Sequence, residues 1–342
     1  MFLAIFTFIY SSIYYVISFL FTFISTLQAV LPLGVDVGLL GIAVYYLTRL
    51  RKPDQSNVES IFGPEPRSQE GIMYPDRVVK CIAHRGAGFD APENTLEALK
   101  YCVERDCNFV ELDVRTLKDG QLVLLHDQGL ERLTGGTITD VKMMDWDSIK
   151  NIDVGATHPN RHQFKEVHLC RLEDALDYLL SNEVRMIIDV KGEDKQVING
   201  ILDTFASRPN LYKFAAVTTF NPFILYQIRK KDPQIVGAIS YRPYCFSAQD
   251  YDAENGPSNP RSEVFYWRSL GVRCVGWCVN RPLEKLYWRG VLKAPYLSNT
   301  LMGEPEVEQK KERDKRSSLS LRPGPIVDKI LETEKRMTSG QN

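Results

Sequence analysis

A chain of 342 residues with 25% charged and 44% hydrophobic side chains suits one large domain with appendages. A formal net charge of −1 leaves no global basic field, which excludes recruitment of nucleic acid by charge. The seven cysteines are an odd number without a C-x-x-C metal-binding pair and read as mostly buried thiols, while the lack of an Asn-x-Ser/Thr sequon argues mildly against an exported, glycosylated domain.

Residues 1–35 carry no charged side chain. The stretch 2–27 exceeds the ~20 residues needed to cross a bilayer, and its tyrosines and phenylalanines suit interfacial contacts. It is too long, and lacks the basic n-region, for a cleaved signal peptide. A second apolar run, 37–47, is shorter and reads as a paired second pass or an interfacial helix. Arg49, Arg51 and Lys52 close it, and positive-inside logic puts the following domain in the cytosol. Residues 1–52 are therefore expected to be a membrane anchor. Residues 53–76, with Pro53, Pro64 and Pro66, read as a linker.

The next segment carries the chemistry. The apolar run Val78-Val79-Lys80-Cys81-Ile82-Ala83 reads as a strand that stops at His84-Arg85-Gly86. Pro92-Glu93-Asn94-Thr95 opens a helix over 95–105, with Asn94 as its cap and Glu97 completing a capping box. Phe109-Val110-Glu111-Leu112-Asp113-Val114 reads as a strand. Its alternation puts Glu111 and Asp113 on one face, where two carboxylates repel unless a hard cation lies between them or the strand is a solvated edge. Lys118-Asp119-Gly120 makes a hairpin turn, and the return strand, 121–125, brings His126-Asp127 back beside that pair. Two histidines at strand ends, each next to a charged residue, point to acid–base chemistry.

Residues 128–170 read as irregular and polar, with His158, His162 and His168 as surface residues. Further strands are expected at 186–191, where Asp189 and Lys191 share a face, and at 215–220, 235–240, 274–279 and 294–297, with helices at 172–180 and after Pro222. Strands alternating with helices imply a mainly parallel sheet. From 304 onward the chain is charge-rich and reads as a disordered tail, with a short helix at 326–336.

The compound motif H-R-G, P-E-N-T, E-L-D-V, D-G and H-D, running from His84 to Asp127, resembles the signature of the glycerophosphodiester phosphodiesterase family. Weaker matches continue at Leu172-Glu173-Asp174-Ala175-Leu176, Ile188-Asp189-Val190-Lys191, Thr219-Phe220 and Gly276-Trp277-Cys278-Val279-Asn280. The resemblance covers about 78–303. The apolar N-terminus and the Asp-Val-Lys variant are similar to the membrane-anchored animal branch. This implies an α/β fold, a TIM (β/α)8-type barrel over 77–303 with a small insertion after strand 2, preceded by a transmembrane segment. It implies Glu111, Asp113 and Asp189 as ligands of a divalent cation, Mg²⁺ or Ca²⁺, with His84 and His126 as the acid–base pair. Arg85 would hold phosphoryl oxygens, Lys191 would add a positive group and Trp277 would pack on the glycerol carbons or in the core. Glu93 would stabilise the first loop.

The expected activity is hydrolysis of glycerophosphodiesters to glycerol 3-phosphate and an alcohol. Glycerophosphoinositol, lysophospholipid or glycerophospho-N-acylethanolamine substrates are implied, in contact with a bilayer. The alternatives are a phospholipase D-like transfer giving a cyclic phosphate and a catalytically weak membrane adaptor. The branch implies a lumenal or exterior domain, the opposite side to the positive-inside reading. Two departures stand out. The last strand ends Leu297-Ser298-Asn299-Thr300 where the family has Thr-Asp. No sixth strand is recognisable within 241–260, so either 264–267 serves as one or a strand is missing.

Overall fold

The computed structural model describes residues 2–30, 33–241 and 260–305. They form two units, 1–51 and 52–342. In the first, a helix spans Phe2–Val30, ~43 Å long at 1.5 Å per residue. Its segment Ile9–Leu27 is apolar and uncharged, and long enough to cross a membrane. Its side chains stand open, Tyr15 and Phe21 among them, as an apolar helix offered to lipid would present them. A second helix spans Leu33–Thr48. Its apolar part, Val37–Thr48, is about 18 Å long, too short to cross by itself.

The second unit is a curled, mainly parallel sheet wrapped by helices: the parallel sheet is what the alternating pattern predicts, and its TIM-barrel-like curl is what the family resemblance implies. Its strands are β1 (Cys81–Ala83), β2 (Phe109–Thr116), β3 (Leu122–Leu124), β4 (Arg185–Val190), β5 (Ala215–Thr219), β6 (Val236–Ile239) and β7 (Tyr296–Ser298). The order is β6-β5-β4-β2-β1-β7, and β3 folds back antiparallel on β2 through the Gly120 turn. Outward residues of β2, β4 and β5 (Val110, Leu112, Met186, Ile188 and Val217) pack under helices Leu96–Val103, Leu172–Ser181 and Lys195–Ser207. Inward residues at the strands' entry ends (Ile82, Phe109, Ile187, Ala216 and Val236) meet in a separate cluster.

Three expectations change. Residues 53–76 hold two helices, Gln55–Phe62 and Gln69–Met73. The first plugs the entry end of the curl: Ile61 is fully buried in the inward cluster and the Phe62 ring lies 5.7 Å from that of Phe109. Gly63 ends this helix at φ +66°, where a Cβ would fall 2.2 Å from the Arg77 carbonyl oxygen. Residues 264–267 are helical, within Pro260–Ser269, because Val264 packs one face against Leu292 and Ala294. The expected strand 274–279 shrinks to a single parallel bridge from Gly276 to Tyr296. Among the described residues no strand lies between β6 and that bridge. Of the expected gap, 241–260, the stretch 242–259 lies outside the described residues, as does the tail beyond 305.

The insertion is more ordered than its polarity suggests. Leu130, Leu133, Val141, Ile149, Val154 and Val167 form a small core of their own with Leu117, Val123, Leu125 and Leu169. His162 and His168 are exposed, but His158 is half-buried with Nε2 3.2 Å from the Gly88 carbonyl, tying the insertion to the loop after β1. The six described cysteines are free thiols.

Candidate active site

Pleating and register build the centre. Phe109, Glu111 and Asp113 alternate onto the inner face of β2, and β4 pairs in parallel so that Asp113 stands opposite Asp189. One carboxylate oxygen from each of Glu111, Asp113 and Asp189 lies within 4.8 Å of the others, and all three residues are buried. Burial and the neighbouring Asp113 and Asp189 push Glu111 well above the carboxylate range. Burial likewise raises Asp189. Asp113 stays low in spite of burial, because Lys191 and Arg85 face it. Among the described residues Asp189 Oδ1 has no hydrogen-bond partner. An all-oxygen donor set with an orphaned acceptor and raised carboxyls fits a hard divalent cation.

The loop after β1 supplies the first imidazole and a guanidinium. Arg85, Ala87 and Asn94 all adopt left-handed φ, of 54°, 65° and 56°, a concentration of strain typical of functional loops. That twist lets the Arg85 N–H donate to Glu111 Oε2 at 3.0 Å, while its guanidinium Nε lies 3.2 Å from Asp113 Oδ2 and NH1 donates to Glu93 Oε1 at 3.0 Å. Asn94 is not the helix cap. Thr95 takes that place, its hydroxyl accepting from Ala98 N. Asn94 instead grips Asp113 twice, donating from Nδ2 to Oδ2 at 2.8 Å and accepting the Asp113 N–H at 3.1 Å.

His84 is half-buried, with Nε2 3.7 Å from Glu111 Oε2 and Nδ1 2.6 Å from Asn299 Oδ1. An amide oxygen only accepts, so Nδ1–H donates and Nε2 is the nitrogen turned to the carboxylates. Burial opposes charge on this ring, but Cys278, whose Sγ is 3.3 Å from Nδ1, and Asp113 outweigh it and raise its pKa. Asn299 is thus a site residue that the sequence showed only as a departure from the family pattern.

His126 follows β3. Its carbonyl accepts two bonds from Arg115, from Nε at 3.0 Å and NH2 at 2.8 Å, and its Nδ1 lies 2.7 Å from Asp127 Oδ1. Burial holds the ring below its ordinary range, although Asp113 favours the charged form. Asp127 Oδ2 accepts from Arg132 Nε at 2.6 Å, and the other two guanidinium nitrogens of Arg132 donate to both oxygens of Glu93 at 2.9 and 2.7 Å. Glu93 thus belongs to the loop's ion pairs. At the rim, Lys191 Nζ donates to Asp189 Oδ2 at 2.7 Å and lies 3.0 Å from Asp113 Oδ1. Lys191 also sits 5.7 Å above the Phe220 ring. Trp277 is 38% exposed, edge-on to Phe220 at 5.9 Å, and so is an open aromatic rather than a core one.

The profile of the glycerophosphoryl diester phosphodiesterase family matches residues 84–295. The chain is 25% identical over 280 residues to human glycerophosphodiester phosphodiesterase 1, covering 69% of this chain and 82% of that protein. A crystal structure of a putative glycerophosphoryl diester phosphodiesterase from Silicibacter pomeroyi superposes with a TM-score of 0.59 at 18% identity, covering 75% of this chain and 98% of that one. A phosphodiesterase from Oleispira antarctica, in complex with the product sn-glycerol-3-phosphate, matches with a TM-score of 0.55 at 17% identity over 68% of this chain and 96% of that one.

Proposed function

The chain belongs to the glycerophosphoryl diester phosphodiesterase family, and on that premise we propose that it hydrolyses glycerophosphodiesters to glycerol 3-phosphate and an alcohol at the Glu111–Asp113–Asp189 cluster. The observation that carries the reading is the juxtaposition of that buried oxygen cluster with His84 and Arg85 from one loop and His126 from another. Glu111, Asp113 and Asp189 would hold the cation, Mg²⁺ or Ca²⁺. When bound, it supplies positive charge to the non-bridging phosphoryl oxygens.

The chain's own groups do the rest. Hydrolysis needs a proton removed from a water molecule as its oxygen bonds to phosphorus, and a proton given to the alkoxide as the phosphorus–oxygen bond breaks. Two imidazoles held in single tautomers, His84 by Asn299 and His126 by Asp127, serve as that base and acid. Arg85, fixed between Glu93 and Asp113, presents a donor for phosphoryl oxygen. Lys191 adds positive charge at the rim. The exposed Phe220–Trp277 pair offers an apolar face to the glycerol carbons. With an apolar helix of membrane-crossing length in the same chain, glycerophosphoinositol, lysophospholipids and glycerophospho-N-acylethanolamines are the substrates to try first.

The test is mass spectrometry of the products from a defined panel of glycerophosphodiesters, with and without chelator. Glycerol 3-phosphate and the free alcohol, lost on chelation and restored by Mg²⁺ or Ca²⁺, are expected. A cyclic glycerophosphate as the end product would replace hydrolysis with internal transfer, and no turnover of any substrate would overturn the reading.

A further inference from the structure

Arg132 lies outside the H-R-G, P-E-N-T, E-L-D-V, D-G and H-D motifs. It lies in a four-residue helical turn, Glu131–Thr134, within the insertion, and its side chain is half exposed. Yet its fork makes three bonds, to both oxygens of Glu93 and to one oxygen of Asp127, at 2.6–2.9 Å. Each carboxylate passes the connection on. Asp127 reaches the His126 ring with its other oxygen. Glu93 reaches Arg85, which faces Asp113. The loop after β1 and the segment after β3 are therefore pinned to each other through one guanidinium.

We infer that Arg132 is a positioning residue for phosphodiester hydrolysis, holding Asp127 and Glu93 so that the His126 ring and the Arg85 guanidinium are presented to the carboxylate cluster in fixed orientations. The inference rests on the hydrolase reading above.

The backbone around Arg132 is built for that task. Its carbonyl accepts from Thr157 Oγ1 at 2.7 Å, the neighbouring Leu133 carbonyl accepts the Thr157 N–H at 3.2 Å, and the Leu133 side chain lies in the insertion's own core. The insertion thus brings a rigid anchor to the mouth of the curl. A planar fork offers three separate nitrogens in fixed directions, two to Glu93 and one to Asp127, a geometry that a single lysine ammonium cannot reproduce. Without it, Glu93 and Asp127 lose their shared counter-charge, and the Asp127 carboxylate is free to turn. Nothing then fixes the Nδ1–H tautomer of His126. An exposed ion pair kept only for stability would leave turnover essentially unchanged. The arrangement instead predicts an effect on turnover.

The full chain in detergent micelles, loaded with Mg²⁺, is assayed on glycerophosphoinositol as wild type, Arg132→Lys, Arg132→Gln and Arg132→Ala. In parallel, the ¹⁵N shifts of the histidine rings are recorded, with His126→Ala assigning the His126 signals. Arg132→Gln is expected to lower kcat roughly 10- to 100-fold with KM within about threefold, a misplaced catalytic group rather than a lost binding contact. Arg132→Lys should not rescue it, while free guanidinium should restore part of the turnover of Arg132→Ala. The His126 ring should pass from one tautomer to a mixture. Asp127→Asn, which keeps the side chain's size, should reproduce the kcat loss even if the Arg132 variants unfold. Wild-type kcat in Arg132→Gln or in Asp127→Asn, or unaltered His126 ring signals in Arg132→Gln, would overturn the inference. A wild-type protein that turns over no glycerophosphodiester at all would sink the hydrolase reading instead, and the ring measurement would still decide whether Arg132 positions His126.

Discussion

Ile61→Ala tests whether the chain before the first strand belongs to the catalytic unit. Ile61 is fully buried among Val79, Ile82, Phe109, Ile187, Ala216 and Val236. The substitution removes three carbons, about 2.4 kcal/mol of transfer free energy at roughly 0.8 kcal/mol each. The surrounding residues come from five strands and the segment before β1 and cannot all collapse inward, so an unfilled cavity adds about 1 kcal/mol. The sum, about 3–4 kcal/mol, lies inside the usual range for an isoleucine truncated in a core. For a unit of this size each kcal/mol moves the melting midpoint by about 2–4 °C, so a fall of roughly 7–14 °C is expected. The assay is thermal unfolding of the full chain in detergent followed by circular dichroism, with the exposed Gln55→Ala as control. A shift of less than about 2 °C for Ile61→Ala, equal to the control, would return 53–76 to the status of a linker.

Four further outcomes are expected. Asn299→Ala should lower kcat about 10- to 100-fold, a fraction of the roughly 10²–10⁴-fold of an acid–base contribution, with Asn299→Asp retaining most turnover because its oxygen still accepts from His84 Nδ1; an unimpaired Asn299→Ala would remove Asn299 from the site. Glu111→Gln should weaken Mg²⁺ binding, read by calorimetry, together with activity, and undiminished affinity would give the carboxylates another task. The full chain should resist alkaline carbonate extraction, and deletion of 1–52 should release it; recovery of the intact chain in the soluble fraction would show that Ile9–Leu27 does not cross a bilayer. Glu93 is depressed because Arg132 and Arg85 outweigh its burial, and Asp127 because His126 and Arg132 do. Their stabilisation is therefore full above the unfolded values near about 4.3 and 3.9 and fades as pH falls through the lower folded values. The melting gap between wild type and Arg132→Gln, about 1 kcal/mol after solvent screening, should close once pH falls below those folded values, and a gap unchanged in acid would mean the ion pairs are not its source.

Strand-borne chemistry was legible because a period of two is written locally: Glu111 and Asp113 share a face by alternation, and Asp189 joins them once β4 pairs with β2 in register. What escaped was set by partners far along the chain. Asn299 meets His84 across 215 positions, so its role appeared only as a break in a pattern. Asn94 carried a valid cap signal, but Thr95 satisfied the helix and left Asn94 to Asp113. Ile61 was hidden because the rest of its helix, Gln55–Phe62, is largely polar, and one or two inward residues leave no periodicity to read. Arg132 sits in a stretch whose core residues follow no regular spacing.

Among the described residues the sheet is interrupted after β6, and this bears on the site less than the strand count implies. His84, Glu111, Asp113, Asp189 and Asn299 issue from β7, β1, β2 and β4, which are consecutive neighbours with every backbone pairing present. Among the described residues the break falls between β6 and Gly276, at the other side of the curl. There the wall is continued by side chains: Phe220, after β5, meets Trp277 at 5.9 Å, and Val275 and Leu297 pack on the cluster that holds Ile187 and Val236. A further strand inserted beside β6 would cover its outer half, where Ile239 stands exposed, and so would act on edge protection and stability. The carboxylate cluster and its two imidazoles are fixed by pairings the break does not touch.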